Sequence, residues 1–591
     1  MLSRFRFIVF LLLISSGSLL FAAHLNHNNT GQVAILPLYT VNNDFITNFT
    51  VTNTSDRYKV VRVRLLDSKI SADILDINLY LSPHDVWNAT LRMNPSNGLP
   101  NLITEDESCT YPLKTELQAG KDLQNRYSAI SIEDFTLGYV EIIEIGDIAD
   151  GDGPALDSGM EAEIDVSGVA DGGVDSLAGD RSIPQGLWHS SSEPADCSVV
   201  SDAWAAGAES ASVVNGFEPG SMSSEGVAED SGSSNAPYED SHNAGLVAPS
   251  GGISVFGIMI NVATGTAFVE QATHIDRYTS VAQHYLPDDP VHYRLPSLAS
   301  GNIQEAHIPN AQGDGMQSDT MPLSEYDTGA LQDISPMPSV PMGSNPLPIA
   351  TILSVSTLSA PYFVDKSVNG LTDIVLTFPM RKHGIYNGGS LTNNLNTNIT
   401  ACVGSLDDGV DDGGEVMIDS LNTMVDDYPH DGAGGLCSNA GFETDYRAEP
   451  VSRILYYDYE DGESGMWDTS QDFGIQPVTA GEYRFRGSVN VRGVNQSSSS
   501  LFGPPFGSGY DNLWLMEYGA EAGWLSINFL DYYNYERNPP IRLLTEVSGG
   551  LGATVENTWT GFPVIGFSAM VSELNSNQLG EVVELIRRID R

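Results

Sequence analysis

Between Gln32 and Met93 apolar and polar residues alternate in short runs, and turn-forming clusters separate the runs. A period of two puts successive side chains on opposite faces of an extended chain, which confines this stretch to β-structure. QVAILPLYTV, FITNFTVTNTS, YKVVRVRLLDS, LDINLYLS and DVWNATLRM each read as a strand. Asn42-Asn43-Asp44, Asn53-Thr54-Ser55-Asp56 and Ser82-Pro83-His84-Asp85 supply the turns between them. In YKVVRVRLL the two sides differ: Val61, Val63 and Leu65 are expected to face a core, Arg62 and Arg64 to face water. Thr136–Gly146 adds a strand, and Ile253–Thr273 a hairpin that turns between Asn261 and Gly265. About seven strands at this spacing predict an immunoglobulin-like sandwich.

A second β-rich unit follows, with strands at ATILSVSTLS, TDIVLTFPM, SRILYYDY, EYRFRGSVNVRG, AGWLSINFL and FPVIGFSAM. The expected fold is therefore all-β: two immunoglobulin-like antiparallel β-sandwich units, at 24–275 and 349–571, joined by a Pro/Ser-rich linker at 276–348. Acidic Gly/Ser-rich insertions interrupt both units, at 147–250 and 405–437. Segments such as DIADGDGPALDSG hold too little apolar surface to offset the entropy of ordering them. An ordered patch is expected near Cys197 and Trp204. In the tail, 572–591, Leu579, Val582, Val583 and Ile586 have helical spacing, which predicts a short C-terminal helix.

Residues 1–23 have the layout of a cleavable signal peptide: Arg4 and Arg6, an apolar run from Phe7 to Ile14, and small residues at Ala22 and Ala23. The expected destination is the periplasm, the outer surface or the medium. The net charge is −50, from 77 Asp and Glu against 27 Lys and Arg, and this excludes nucleic acid as a partner because phosphates require clustered cations. No later apolar run is long enough for a membrane-spanning helix. The four cysteines, Cys109, Cys197, Cys402 and Cys437, are even in number, as disulfides in an exported chain require. Three pairings are open, and proximity along the chain favours Cys109–Cys197 and Cys402–Cys437. Their spacing is too wide for a zinc knuckle.

GQVAILPLYTVNN, VRVRLLDSKISADILDINLYLSPHDVWNATL, GYVEIIEIGD, INVATGTAFVEQAT, TDIVLTFPMRKHG and GFPVIGFSAM occur in that order. Together they resemble a family of exported β-rich proteins of unknown function from Gram-negative bacteria. The resemblance covers both β-rich units but not the acidic insertions. It implies bacterial export and a shared two-unit plan, and it brings no catalytic residue or ligand with it.

The common hydrolase, zincin and nucleotide-loop signatures are absent from the sequence, so no enzymatic activity is expected and no cofactor is implied. Two acidic loops place hard oxygen ligands beside glycine, the arrangement that weak calcium binding requires. They are Asp147, Asp150 and Asp152, and Asp407, Asp408, Asp411, Asp412 and Glu415. Neither fits an EF-hand, and solvated acidic loops are the commoner outcome of such composition. The His284 and His292 pair reads as ordinary loop residues. Tyr456, Tyr457, Trp467, Trp514 and Trp524 lie in or near strands and offer flat rings for stacking on sugars. Asp458, Glu460 and Asp461 could be cast as the paired carboxylates of glycoside hydrolysis, but they sit where the strand runs into the Gly462 turn, which favours an ordinary strand end. The expected role is a non-enzymatic structural or surface-associated protein with a protein or glycan partner; the alternative is a carbohydrate-binding or carbohydrate-active protein.

Overall fold

The computed structural model describes residues 23–69, 71–124, 131–148, 183–190, 193–198, 200, 246–280, 282–287, 295–301, 303, 305–309, 318–322, 347–355, 357–380, 451–458, 483–484, 487–494, 500–503, 521–528, 542–547, 555–560, 562–574 and 577–588. The remainder of both acidic insertions, including all of 405–437, lies outside the described residues, as do the signal residues up to 22. The described chain is all-β, in antiparallel sheets with a few short helices.

In the first unit every expected strand forms. They are β1 (Val33–Thr40), β2 (Phe45–Asn53), β3 (Lys59–Asp67), β4 (Asp73–Leu81), β5 (Val86–Met93), β6 (Leu137–Ile148), β7 (Ile253–Asn261), β8 (Ala267–Gln271) and β9 (Thr273–Asp276). One sheet of eight strands runs His24–Leu25, β9, β1, β6, β3, β4, Cys109–Tyr111, with Leu246–Val247 paired to the end of β6. A second, of six, runs β8, β7, β2, β5, Pro100–Ile103, Lys121–Asp122. Leu36, Val61, Val63 and Leu65 from the first sheet pack with Phe49, Trp87 and Val255 from the second into one buried cluster. The sheets are thus larger than the strand count read from the sequence, because β6 continues to Ile148 and short edge strands are added.

Arg62 and Arg64 depart from the expectation of a wet face. Both are buried, at 0% and 1% exposure. The described parts of residues 278–300, which the sequence placed in a linker, lie over their side of the sheet. Arg62 Nη2 donates to the Tyr285 and Leu295 carbonyl oxygens, at 2.8 and 2.7 Å, and Asn78 Nδ2 donates to Tyr285 O at 2.8 Å. Arg64 lies between Glu141 of β6 and Asp76 of β4, its direct cross-strand neighbours. It pairs with both, and with Asp73. The alternation was read correctly; the polar side is covered by a strap rather than by water.

The second unit holds β10 (Thr357–Phe363), β11 (Leu371–Thr377), β12 (Val451–Asp458), β13 (Val489–Gly493), β14 (Ala522–Asn528), β15 (Ile565–Leu574), β16 (Asn577–Glu584) and β17 (Ile586–Arg588). One sheet runs Tyr483–Arg484, β12, β14, β10, β17, the other β13, β11, β15, β16. The expected C-terminal helix is absent: β16 pairs along the edge of β15 from Leu574↔Asn577 to Phe567↔Glu584, and β17 pairs with β10. Val582, Val583 and Ile586 are β-branched and Gly580 weakens a helix, so an open strand edge wins over helical spacing. Gly580 also permits close approach, since a Cβ there would stand 2.8 Å from the Ala267 carbonyl oxygen of β8.

The two units share a core. Val33, Ile35, Tyr139 and Ile143, on the outer face of the first sheet, belong to one cluster with Ile374, Leu376, Phe567 and Leu525 of the second unit. Phe502 stacks among Phe45, Phe268 and Phe567, with ring centroids 5.4, 5.3 and 6.2 Å away. Thr377 Oγ1 donates to Pro37 O at 2.6 Å, and Thr40 Oγ1 to Phe502 O at 2.9 Å. Asp373 of β11 anchors the Phe502 segment, accepting from Ser500 Oγ at 2.6 Å, Leu501 N at 2.7 Å and Phe502 N at 3.3 Å.

Two outcomes follow from these buried charges. Removing the Arg64 cation strands three buried carboxylates, so Arg64→Met lowers stability by about 3–5 kcal/mol, read as a lower denaturant midpoint. Burial pushes the Asp373 carboxyl up to about 6, against the hydrogen bonds that favour its ionised form. A raised carboxyl pKa penalises the fold where the group must ionise. The penalty is absent below the ordinary carboxylate range near pH 4, grows as pH rises, and is complete above pH 6. Asp373→Asn keeps an acceptor for all three donors and removes the ionisation. Its stability relative to the parent therefore rises by about 2–3 kcal/mol from pH 4 to pH 7.5, which paired unfolding curves at the two pH values measure.

Candidate functional site

Of the four cysteines, Cys109 and Cys197 form a disulfide across 88 residues. Cys109 is in a buried edge strand beside β4, and Cys197 follows a short helix, Ile183–Leu187, and a two-stranded turn. This is the local order expected near Cys197; Trp204 lies outside the described residues, as do Cys402 and Cys437.

Asp147, the first acid of the candidate calcium loop, is inside β6 rather than in a loop. Its Oδ1 lies 2.7 Å from Lys59 Nζ, its direct neighbour across the ladder, and the same ammonium contacts Glu144. Arg57 Nη1 approaches Asp147 Oδ2 at 3.6 Å. A protein cation therefore holds the position an ion would need. Burial pushes the Glu144 carboxyl up to about 8, against the pull of Lys59. Asp150, Asp152, Asp407, Asp408, Asp411, Asp412 and Glu415 lie outside the described residues. Among the described residues no group of three or more His, Cys, Asp or Glu is placed to hold a metal. His284 is buried with Nε2 3.0 Å from the Tyr80 hydroxyl, and its pKa falls to about 3 through burial and the neighbouring Arg62. His292 is not among the described residues.

The candidate sugar platform divides. Trp524 of β14 is 43% exposed, whereas the next residue, Leu525, is buried. Tyr457 of β12 stands directly opposite Trp524 in the ladder and Tyr456 opposite Leu525. Asp458 closes β12 opposite Gly523. Trp467, Trp514, Glu460 and Asp461 lie outside the described residues.

A further site, which no motif in the sequence marks, is a cavity of about 340 Å³ between the two units. Its first-unit wall is the end of β8, the start of β9 and the 25–29 turn; its second-unit wall comes from β10, the start of β15, β16 and β17. Glu270 and His274 line it and are 1% and 3% exposed. Neither Glu270 oxygen has a hydrogen-bond partner of good geometry among the described residues. His274 Nε2 accepts from Val255 N at 3.0 Å, which places the ring proton on Nδ1. Burial drives the Glu270 carboxyl well above its ordinary range, the Leu38 backbone N–H offsetting part of this, and lowers His274 to about 4. The overlooked clue was phase: Glu270 is two residues from inward-facing Phe268 and opposite Gly257, so its side chain must point inward over a residue with none.

No protein-family model, no curated protein and no solved structure matches the chain. Among the described residues no helix is long and apolar enough to cross a membrane.

Proposed function

We propose that this chain is an exported, non-enzymatic protein with a structural or surface-associated role, built from immunoglobulin-like units and acting in the periplasm, on the outer surface or in the medium. The Cys109–Cys197 disulfide carries the reading, because structural disulfides form and persist in oxidising compartments. The signal-like residues 1–23 and the resemblance to exported β-rich proteins of Gram-negative bacteria point the same way. A core shared by two units resists domain motion, which suits a load-bearing or display role better than a cycle of opening and closing. Its partner is a protein or a glycan at the cell surface, and not nucleic acid.

Cell fractionation combined with peptide mass mapping tests this. The expected result is protein beginning near Ala23, outside the cytoplasm, with Cys109 and Cys197 linked. Uncleaved protein retained in the cytoplasm with both thiols free overturns it.

The exposed Trp524 opposite Tyr457 favours a second reading, a carbohydrate-binding face on the β12–β14 sheet. An indole stacked on a sugar contributes strongly to such sites, so Trp524→Ala weakens any glycan retained on an array at least tenfold while leaving the melting temperature within about 2 °C, as surface changes do. An array with no binder removes this reading.

A further inference from the structure

We propose that the cavity between the two units binds a small organic cation of the primary alkylammonium class, with the Glu270 carboxylate as its counter-charge.

A buried carboxyl without hydrogen-bond partners is costly, by several kcal/mol on transfer scales, and native proteins rarely tolerate it without a role. Glu270 approaches this case, since the Leu38 backbone N–H offsets only part of its burial and no cation stands beside it among the described residues, and the local backbone is arranged to admit it. Gly257 faces it across the β7–β8 ladder, and a Cβ there would stand 3.2 Å from Glu270 Oε1 and 3.0 Å from the Leu36 side chain. The volume, about 340 Å³, falls within the range of small-molecule pockets.

The lining selects the class of ligand. Leu358, Val564, Phe567 and Val582 provide an apolar wall suited to a short alkyl chain. The charged and titratable groups facing the space are Glu270, Glu584, His27, His274 and Arg587. Arg587 is committed elsewhere: its Nη2 donates to the Leu353 and Ile352 carbonyl oxygens at 2.6 and 3.3 Å, and Glu584 is its electrostatic neighbour. His274 is held neutral by burial. Glu270 is left as the acid without a cation, so an anion is disfavoured locally, and a chain of net charge −50 concentrates cations around it. A metal ion is also disfavoured, because Glu584 neighbours Arg587 and Glu270 is left as the one available carboxylate, too few ligands for a cation site. An ammonium group supplies three N–H donors and a full charge at one end of an apolar body, matching the carboxylate and the wall together.

Burial raises the Glu270 carboxyl, and an ammonium beside it favours the ionised form: any proton the acid carries leaves its O–H bond for solvent, and the carboxylate accepts N–H donors. The experiment is calorimetric titration of the mature, disulfide-bonded protein with n-butylammonium chloride at pH 7. One saturable site is expected, and sodium butyrate and butanol give no saturable heat. Glu270→Gln is a near-isostere of the protonated acid, so it melts at or above the parent temperature and binds at least tenfold more weakly. Val582→Trp fills the apolar wall while leaving Glu270 in place and also abolishes binding. Absence of a saturable butylammonium site in the parent protein, equal affinity in Glu270→Gln, or equal uptake of butyrate each overturns the proposal.

Discussion

A sheet with no wet face sets the terms for the rest of this molecule. Every residue of β1, β3 and β6 is buried, so both sides of these three central strands must be covered by other parts of the chain. One side meets the six-stranded sheet in an apolar core. The other is divided between two covers of opposite chemistry. Over β1 and part of β6 it is apolar, with Val33, Ile35 and Ile143 continuing into the second unit. Over β3 and β4 it is ionic and lies beneath the described parts of the 278–300 strap. Parallel sheets commonly have both faces covered, whereas antiparallel ones usually keep one face wet. Here the second unit and the strap replace that water.

The strap explains why cations are inside a protein that has so few. A covering segment without a sheet ladder still has backbone carbonyls that need donors. Arg62 and Asn78 supply them, reaching the carbonyls of Tyr285 and Leu295, and Arg64 reaches Pro296 O at 3.3 Å. A guanidinium suits this task because its five N–H groups can serve carbonyls and carboxylates in one plane. The carboxylates then follow from the cation: Glu141, Arg64 and Asp76 are adjacent on neighbouring strands, a charge ladder across the sheet in which each acid has the arginine within reach. Lys59 repeats the pattern at the end of the same strand with Glu144 and Asp147. Across these strands, then, the buried acids of β4 and β6 gather around the arginine and lysine of β3.

Local pattern was legible in the sequence, and what covers a pattern was not. The strands from Gln32 to Met93, the long strand ending at Ile148 and the β7–β8 hairpin all follow from alternation and turn residues. Alternation also identified the two faces of β3, but no local signal tells a polar face toward water from one toward a strap more than 200 residues away in sequence. Leu579, Val582, Val583 and Ile586 show the reverse limit: their spacing fits a helix, and the free edge of β15 decides against it. For the site, Trp524 was found because an aromatic is conspicuous. Glu270 was missed because a single glutamate in AFVEQ resembles the outward half of a strand, although its phase with Phe268 places it inward.

Gly257 and Gly580 show how the shared interface leaves a cavity. Gly580 lets β16 close against β8, where a Cβ would stand within 3.0 Å of Ala267, Phe268 and Thr266. Further along β8 the cavity opens between the start of β9, the 25–29 turn and the second unit, and a side chain at Gly257 would crowd Glu270 and Leu36 beside it. If packing alone governed this region, an aliphatic residue at 270 would occupy the room above Gly257 and avoid the burial of an unpaired carboxyl. The same hairpin places Phe268 inward one step earlier, where it packs against Phe45 and Phe502 as stability requires. Within one short strand, then, one inward position serves the core and the next works against it, and this local conflict marks Glu270 as a position whose use lies outside folding.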